Sequence, residues 1–259
     1  MPIPDLGDLR VLVTRPRHQA AAFIKKLHTA GAQTTEFPCI EIHYNRSLPF
    51  NDIAQLSKSD FLIFTSPNAV AGAIHSKLFD SPLFTVEGKS NPVTLGAIGQ
   101  TTLKCLHDHQ LKVELAPAEN TDSEGFVAQF KQAIPPGSAI TIVRGRHGRD
   151  ALKQKLESLG AAVTYVSVYD QTLPKINEAD ARQILLTALP CAISITSDMG
   201  LRNLLQLSPL DTHKQLLASP LVVNSQRCAK LAKKKGFKGP VIVASPPGDC
   251  GQITALSAL

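Results

Sequence analysis

Short, largely apolar runs recur along the chain: Val11-Leu12-Val13, Phe61-Leu62-Ile63-Phe64, Ile140-Thr141-Ile142-Val143 and Leu221-Val222-Val223. Their length and β-branched content predict strands covered on both faces. Between them apolar residues fall at helical spacing. Ala20, Phe23, Ile24 and Leu27 share one face after the first run, and Leu152, Leu156 and Leu159 share one after the third. Gly31 and Gly160 stand where helix C-termini need a left-handed residue. Ser66 followed by Pro67 has the form of an N-cap and first-turn pair. Strand alternating with helix predicts an α/β protein with parallel sheets covered by helices.

The pattern occurs twice. VLVTRPRH (11–18) answers ITIVRGRH (140–147), so that Arg15 pairs with Arg144, His18 with His147, Leu27 with Leu156 and Gly31 with Gly160, all at an offset of 129. FLIFTSPNAV (61–70) answers AISITSDMGL (192–201), with Ser66 against Ser197 at an offset of 131. LGAIGQTTLKCL (95–106) then answers LVVNSQRCAKLA (221–232), and VELAP (113–117) answers VIVASP (241–246). This is one duplication of a unit of about 130 residues rather than an array of short repeats. It predicts two α/β lobes with a cleft between them.

Composition narrows the classes. With 43% hydrophobic and 19% charged residues among 259, the chain suits a globular protein of two moderate domains. No stretch approaches the roughly 18 apolar residues of a membrane span. The start, Met1-Pro2-Ile3-Pro4-Asp5, lacks the apolar core of a signal peptide, and a cytoplasmic location is expected. Five dispersed cysteines without a C-x-x-C pair read as reduced thiols, and the eight histidines show no ligand spacing, so no metal is expected. The net charge of +6 is spread along the chain, and with no Trp and three Tyr there is little for base stacking, so nucleic acid is not the expected partner.

In parallel sheets, ligands gather where strand C-termini meet helix N-termini. The stretches placed there are Thr14-Arg15-Pro16-Arg17, Thr65-Ser66-Pro67-Asn68, Gly99-Gln100-Thr101-Thr102, Arg144-Gly145-Arg146-His147, Thr196-Ser197-Asp198 and Asn224-Ser225-Gln226-Arg227. Hydroxyls and guanidiniums from both repeats suit an anion with several carboxylates or phosphates. Each also has a plain structural use: the serines and Thr102 as caps, Arg15 and Arg144 in ion pairs, and Lys233-Lys234-Lys235 as a solvated helix end. No complete dinucleotide fingerprint, Walker A loop or G-x-S-x-G elbow is present.

From Leu9 to the C-terminus the chain resembles the uroporphyrinogen-III synthase family. The resemblance rests on VLVTRP, DFLIFTSPNAV, LGAIGQTT, VSVYDQTLP and LVVNSQRCAKLAKKKGF…VIVASPPGD, taken in order and spacing. It implies two flavodoxin-like parallel-sheet domains joined by a two-stranded linker, one of them discontinuous. Residues 1–38 and 171–259 would form the first and 39–170 the second, with linker strands near 37–44 and 165–172. It implies a lyase of haem biosynthesis, monomeric and without cofactor or metal, that closes the polycarboxylate hydroxymethylbilane into uroporphyrinogen III. Loss of the terminal hydroxyl as water gives an azafulvene, and ring D is inverted through a spiro intermediate. No membrane is involved, and contact with the preceding deaminase is transient.

The family's proton donor is a tyrosine after the returning strand, matched here by Tyr169, whose counterpart in the first repeat is Ile40. A phenol is neutral at pH 7 and can donate. The resemblance makes Thr102, Ser66 and Ser197 contacts to carboxylates or the reacting ring; Thr14, Arg15, Asn68, Thr101, Arg144, Arg146, Ser225 and Arg227 complete the expected binding set. Where some family members carry two threonines this chain has Arg227-Cys228, so that either Ser225 and Arg227 take over that contact or it is missing. Two rivals stand beside this reading: a two-lobed α/β protein that binds a small anion without catalysis, and a flavodoxin-like FMN or nucleotide protein.

Overall fold

The structure, a computed structural model, describes residues 4–80, 93–118 and 123–259. The strands are β1 (Arg10–Val13), β2 (Gln33–Glu36), β3 (Glu41–Tyr44), β4 (Phe61–Phe64), β5 (Thr94–Ala97), β6 (Ala139–Gly145), β7 (Ala162–Thr172), β8 (Ala192–Ile195), β9 (Leu221–Val223) and β10 (Val241–Val243). The helices are α1 (Arg17–Thr29), α2 (Phe50–Leu56), α3 (Pro67–His75), α4 (Gln100–Asp108), α5 (Ser123–Phe130) and α6 (Ala151–Ser158). They continue with α7 (Glu178–Ala188), α8 (Asp198–Leu207), α9 (His213–Ala218), α10 (Gln226–Lys234) and α11 (Asp249–Leu256). The chain falls into two compact units, one made of Met1–Glu41 with Thr172–Leu259, the other of Ile42–Gln171.

The first unit holds a sheet in the order β10-β9-β8-β1-β2, parallel throughout. The second holds β3-β7-β6-β4-β5, in which β7, β6, β4 and β5 run parallel. Each sheet draws on both repeats. Strands β1 and β2 of the first copy join β8 to β10 of the second, and β4 and β5 of the first join β6 and β7 of the second. The VELAP segment, counterpart of β10, meets β5 in a single parallel bridge between Gly96 and Leu115.

The apolar runs form strands because both sheet faces are covered. Within β1, Leu12 packs into one core cluster while Val11 and Val13 pack into another. In β4, Leu62 and Phe64 face one cluster and Phe61 and Ile63 the other. Helix ends follow the same logic of local satisfaction. Beyond α1, Gly31 takes φ +87°, and its N–H reaches His28 O while that of Ala32 reaches Leu27 O. Gly160, at φ +86°, repeats the arrangement after α6 through Glu157 O and Leu156 O. These paired bonds satisfy the last carbonyls of each helix, and only a residue at ease with positive φ closes them without strain. Among the described residues no helix is long and apolar enough to cross a membrane.

Parallel pairing delivers the C-termini of the strands to one edge of each sheet. Thr14-Arg15, Thr196-Ser197 and Asn224-Ser225 follow β1, β8 and β9 in the first unit; Thr65-Ser66 and Ile98-Gly99 follow β4 and β5 in the second.

Candidate functional site

In the second unit this edge opens into a cavity of about 390 Å³. Tyr169, near the end of β7, lines it and is 8% exposed. Its ring lies against the backbone of Gly145 on β6, where a Cβ would stand 2.7 Å from ring carbons. Its hydroxyl is 3.4 Å from Ser66 Oγ, either being able to donate. Ser66 also caps α3, accepting from Ala69 N at 3.2 Å. The cap and the phenol contact therefore share one oxygen, which ties the rotamer of Ser66 to the helix start.

Arg144, on β6, also lines the cavity and is buried. Its Nε donates to Gly145 O at 3.2 Å, and its Nη1 donates to Arg149 O and Asp150 Oδ1, both at 3.3 Å. The guanidinium lies 4.5 Å from the centre of the Tyr165 ring. A side chain at Gly148 would overlap its Nη2. His147 and Arg149 complete the basic lining, and no carboxylate residue is among those that line the cavity. The site thus presents two arginines, a serine and two phenols, a set of donors suited to an anion.

The other expected residues of this unit are not among those that line the cavity. Asn68, in the first turn of α3, accepts from the Tyr44 hydroxyl at 3.2 Å. Thr102 is buried in the first turn of α4, with Thr101 exposed beside it. Arg146 is exposed, its Nε 3.6 Å from Asp170 Oδ2, and His147 Nε2 is 3.7 Å from Asp170 Oδ1.

In the first unit, Thr14 is buried and donates to Ser194 O at 2.7 Å, locking β1 to β8. Arg15 is buried with its guanidinium 3.8 Å from the Phe23 ring centre, and its Nη1 meets Asp249 Oδ1 at 2.5 Å. Burial works against the Asp249 carboxylate, but hydrogen bonds from Lys26 and Arg15 outweigh it and hold its pKa below the ordinary value. Ser197 caps α8 through Gly200 N at 3.0 Å, and Ser225 caps α10 through Cys228 N at 3.2 Å. Arg227 Nε reaches Asp198 Oδ2 at 2.9 Å across the starts of those two helices. Beneath them, buried Gln252 accepts from Ser194 Oγ and donates to Ile195 O and Asn224 Oδ1.

Four lining residues with polar side chains were not in the expected set: His147, Arg149, Tyr165 and Thr65. The first two belong to the loop begun by Arg144-Gly145-Arg146, and His147 was already matched to His18. Tyr165 carries no such signal; register places it, opposite Ile142 of β6. Its pKa is pushed up to about 12, first by burial and then by the hydrogen bond its hydroxyl donates to Asp150 Oδ1 at 2.9 Å, with Arg144 opposing. Among the described residues no cluster of three or more His, Cys, Asp or Glu side chains could hold a metal ion.

A family model described as uroporphyrinogen-III synthase HemD matches residues 21–248. This chain belongs to the uroporphyrinogen-III synthase family. It is accordingly an enzyme, of the lyase class, in porphyrin biosynthesis. The uroporphyrinogen-III synthase of Synechococcus elongatus is 32% identical over 203 residues, 76% of this chain and 74% of that one. The uroporphyrinogen-III synthase of Salmonella typhimurium is 28% identical over 235 residues, 89% of this chain and 93% of that one. The crystal structure of uroporphyrinogen-III synthetase from Helicobacter pylori matches with a TM-score of 0.65 at 16% identity, covering 97% of this chain and all of the other, a likeness of fold.

Proposed function

We propose that this chain closes hydroxymethylbilane into uroporphyrinogen III, and that the cavity beside Tyr169 is where the departing hydroxyl is protonated. The observation that carries the reading is the meeting of Tyr169, Ser66 and Arg144 in one cation-lined cavity of a uroporphyrinogen-III synthase family member. Tyr169 donates to the hydroxyl as the C–O bond breaks, and the product water leaves. Ser66, within reach of the phenol oxygen, orients it, and the phenolate takes back the proton that re-aromatisation releases. Ring closure and re-aromatisation release one proton for the one consumed, so the cycle needs no external acid and no cofactor.

Arg144 holds a substrate carboxylate, its guanidinium fixed by Gly145 O, Arg149 O and Asp150. Asn68, Thr101, Thr102 and Arg146 serve further carboxylates around the same cavity. In the first unit Ser197, Ser225 and Arg227 take the acetate and propionate arms, and Arg227 exchanges Asp198 for substrate. Arg15 and Thr14 support that edge from within, Arg15 by fixing Asp249. The reading makes the protein a cytoplasmic monomer that meets its deaminase only in passing. The five free cysteines agree with a reducing compartment.

The test is kinetic, with hydroxymethylbilane generated in situ. Tyr169→Phe is expected to lower kcat by about 10²-fold or more, the usual range for loss of a positioned acid, with KM little changed. Arg144→Ala is expected to raise KM by about tenfold or more, from the loss of a charge-assisted contact. Full turnover in Tyr169→Phe would remove the phenol from the mechanism, and an unaltered KM in Arg144→Ala would return that arginine to structure.

A further inference from the structure

The second unit has a second phenol beside the first. Tyr44, the last residue of β3, stands with its ring centre 6.4 Å from that of Tyr169 at an interplanar angle of 65°, an edge-on contact. On its other side it stacks on His75, with centres 4.7 Å apart and planes within 8° of parallel. Its hydroxyl donates to Asn68 Oδ1. Asn68 and His75 are seven residues apart on α3 and so share a face. Tyr44 therefore lies along that face, bonded near the start of the helix and stacked at its end.

The same face is pressed onto β7. Gly72, between Asn68 and His75 on that face, leaves no room for a side chain: a Cβ there would stand 2.6 Å from Val168 O, the residue before Tyr169. Beyond Tyr44, Asn45 donates from its backbone N to Val168 O at 3.0 Å and from Nδ2 to Ser167 O at 2.7 Å. The β3 end is thus fixed to the β7 backbone on the approach to Tyr169. With Gly145 under its ring and Ser66 at its hydroxyl, Tyr169 is bounded on three sides, and Tyr44 forms the third.

We propose that Tyr44, clamped between His75 and Asn68, is a positioning residue that holds the Tyr169 ring in the orientation from which it donates its proton. The proposal rests on the reading of Tyr169 as the donor. An edge-to-face aromatic pair favours one geometry over others, and a donor displaced by about 1 Å can lose about 10²-fold in rate. Burial raises the Tyr44 pKa first, with Tyr169 and Cys105 adding to it, which keeps this phenol neutral beside its partner. In the sequence Tyr44 and Tyr169 come near each other only as parts of the linker strands expected near 37–44 and 165–172, and nothing there signals the ring contact itself.

The experiment is a double-mutant cycle in the isomer-resolved assay, with Tyr44→Leu, Tyr44→Phe, Tyr169→Phe and the pairs with Tyr169→Phe. Tyr44→Leu is expected to lower kcat by about tenfold with KM held within about twofold. Tyr44→Phe keeps the ring and restores most of that loss. In the Tyr169→Phe background Tyr44→Leu costs nothing further, because the group it positions is gone. His75→Ala, at an exposed position outside the cavity, is expected to give a smaller kcat loss that vanishes in the same background, and serves if Tyr44→Leu does not fold. A full, additive loss in the Tyr169→Phe background overturns the positioning role, as does a change confined to KM. Wild-type turnover in Tyr169→Phe alone overturns the donor reading and the positioning role with it, so the two failures are told apart.

Discussion

Tyr165 shows how much of the site depends on contacts a sequence does not display. Its hydroxyl is tied to Asp150, its ring lies under the Arg144 guanidinium, and its pKa stands near 12. The folded protein favours the neutral phenol, whereas an unfolded tyrosine ionises near pH 10. That contribution is complete below about pH 10 and is lost as pH rises towards 12, since the unfolded chain gives up its proton first. Tyr165→Phe, which cannot titrate, is expected to show a shallower loss of stability across that window in denaturant melts; identical slopes would mean the phenol is equally free in both states. Ser66 could be placed from sequence because a cap followed by Pro is a local pattern. Tyr169 could be singled out because it breaks the internal symmetry at Ile40. Tyr165 and Tyr44 depend on which residues strand pairing sets beside Arg144 and Tyr169, and tertiary register decides that.

Among the elements, the strands that were legible are those buried on both faces, such as β4 and β9. Strand β2, Gln-Thr-Thr-Glu, was not read from the sequence, for a sheet-edge strand tolerates polar residues and loses the apolar signal. Helix ends were legible where glycine marks them. After α4 the same pair of bonds forms, Gln110 N to His107 O and Leu111 N to Leu106 O, but the left-handed position is held by Gln110 at φ +59°. An L side chain there is strained by about 1–2 kcal/mol relative to glycine, part of which glycine returns as unfolded-state entropy. Gln110→Gly is therefore expected to stabilise the protein by up to about 1 kcal/mol, read as a raised melting midpoint with unchanged activity. A lowered midpoint would show that the Gln110 side chain makes up for its backbone.

For the whole molecule, the duplication was legible as two sets of matched motifs, and the pairing of strands gives it a physical form. Neither repeat makes a sheet by itself; each sheet takes its inner strands from both copies. Matched residues Arg15 and Arg144 occupy like places at strand ends and have like surroundings, each paired with an aspartate and set over an aromatic ring, Asp249 and Phe23 for one, Asp150 and Tyr165 for the other. The measurement that bears most directly on this account is the isomer composition of the porphyrin formed when the protein meets hydroxymethylbilane made in situ from porphobilinogen and its deaminase. The account predicts type III isomer well above the uncatalysed type I background. Type I alone, in the presence of folded protein, would contradict it and leave a protein that binds the anion without turning it over.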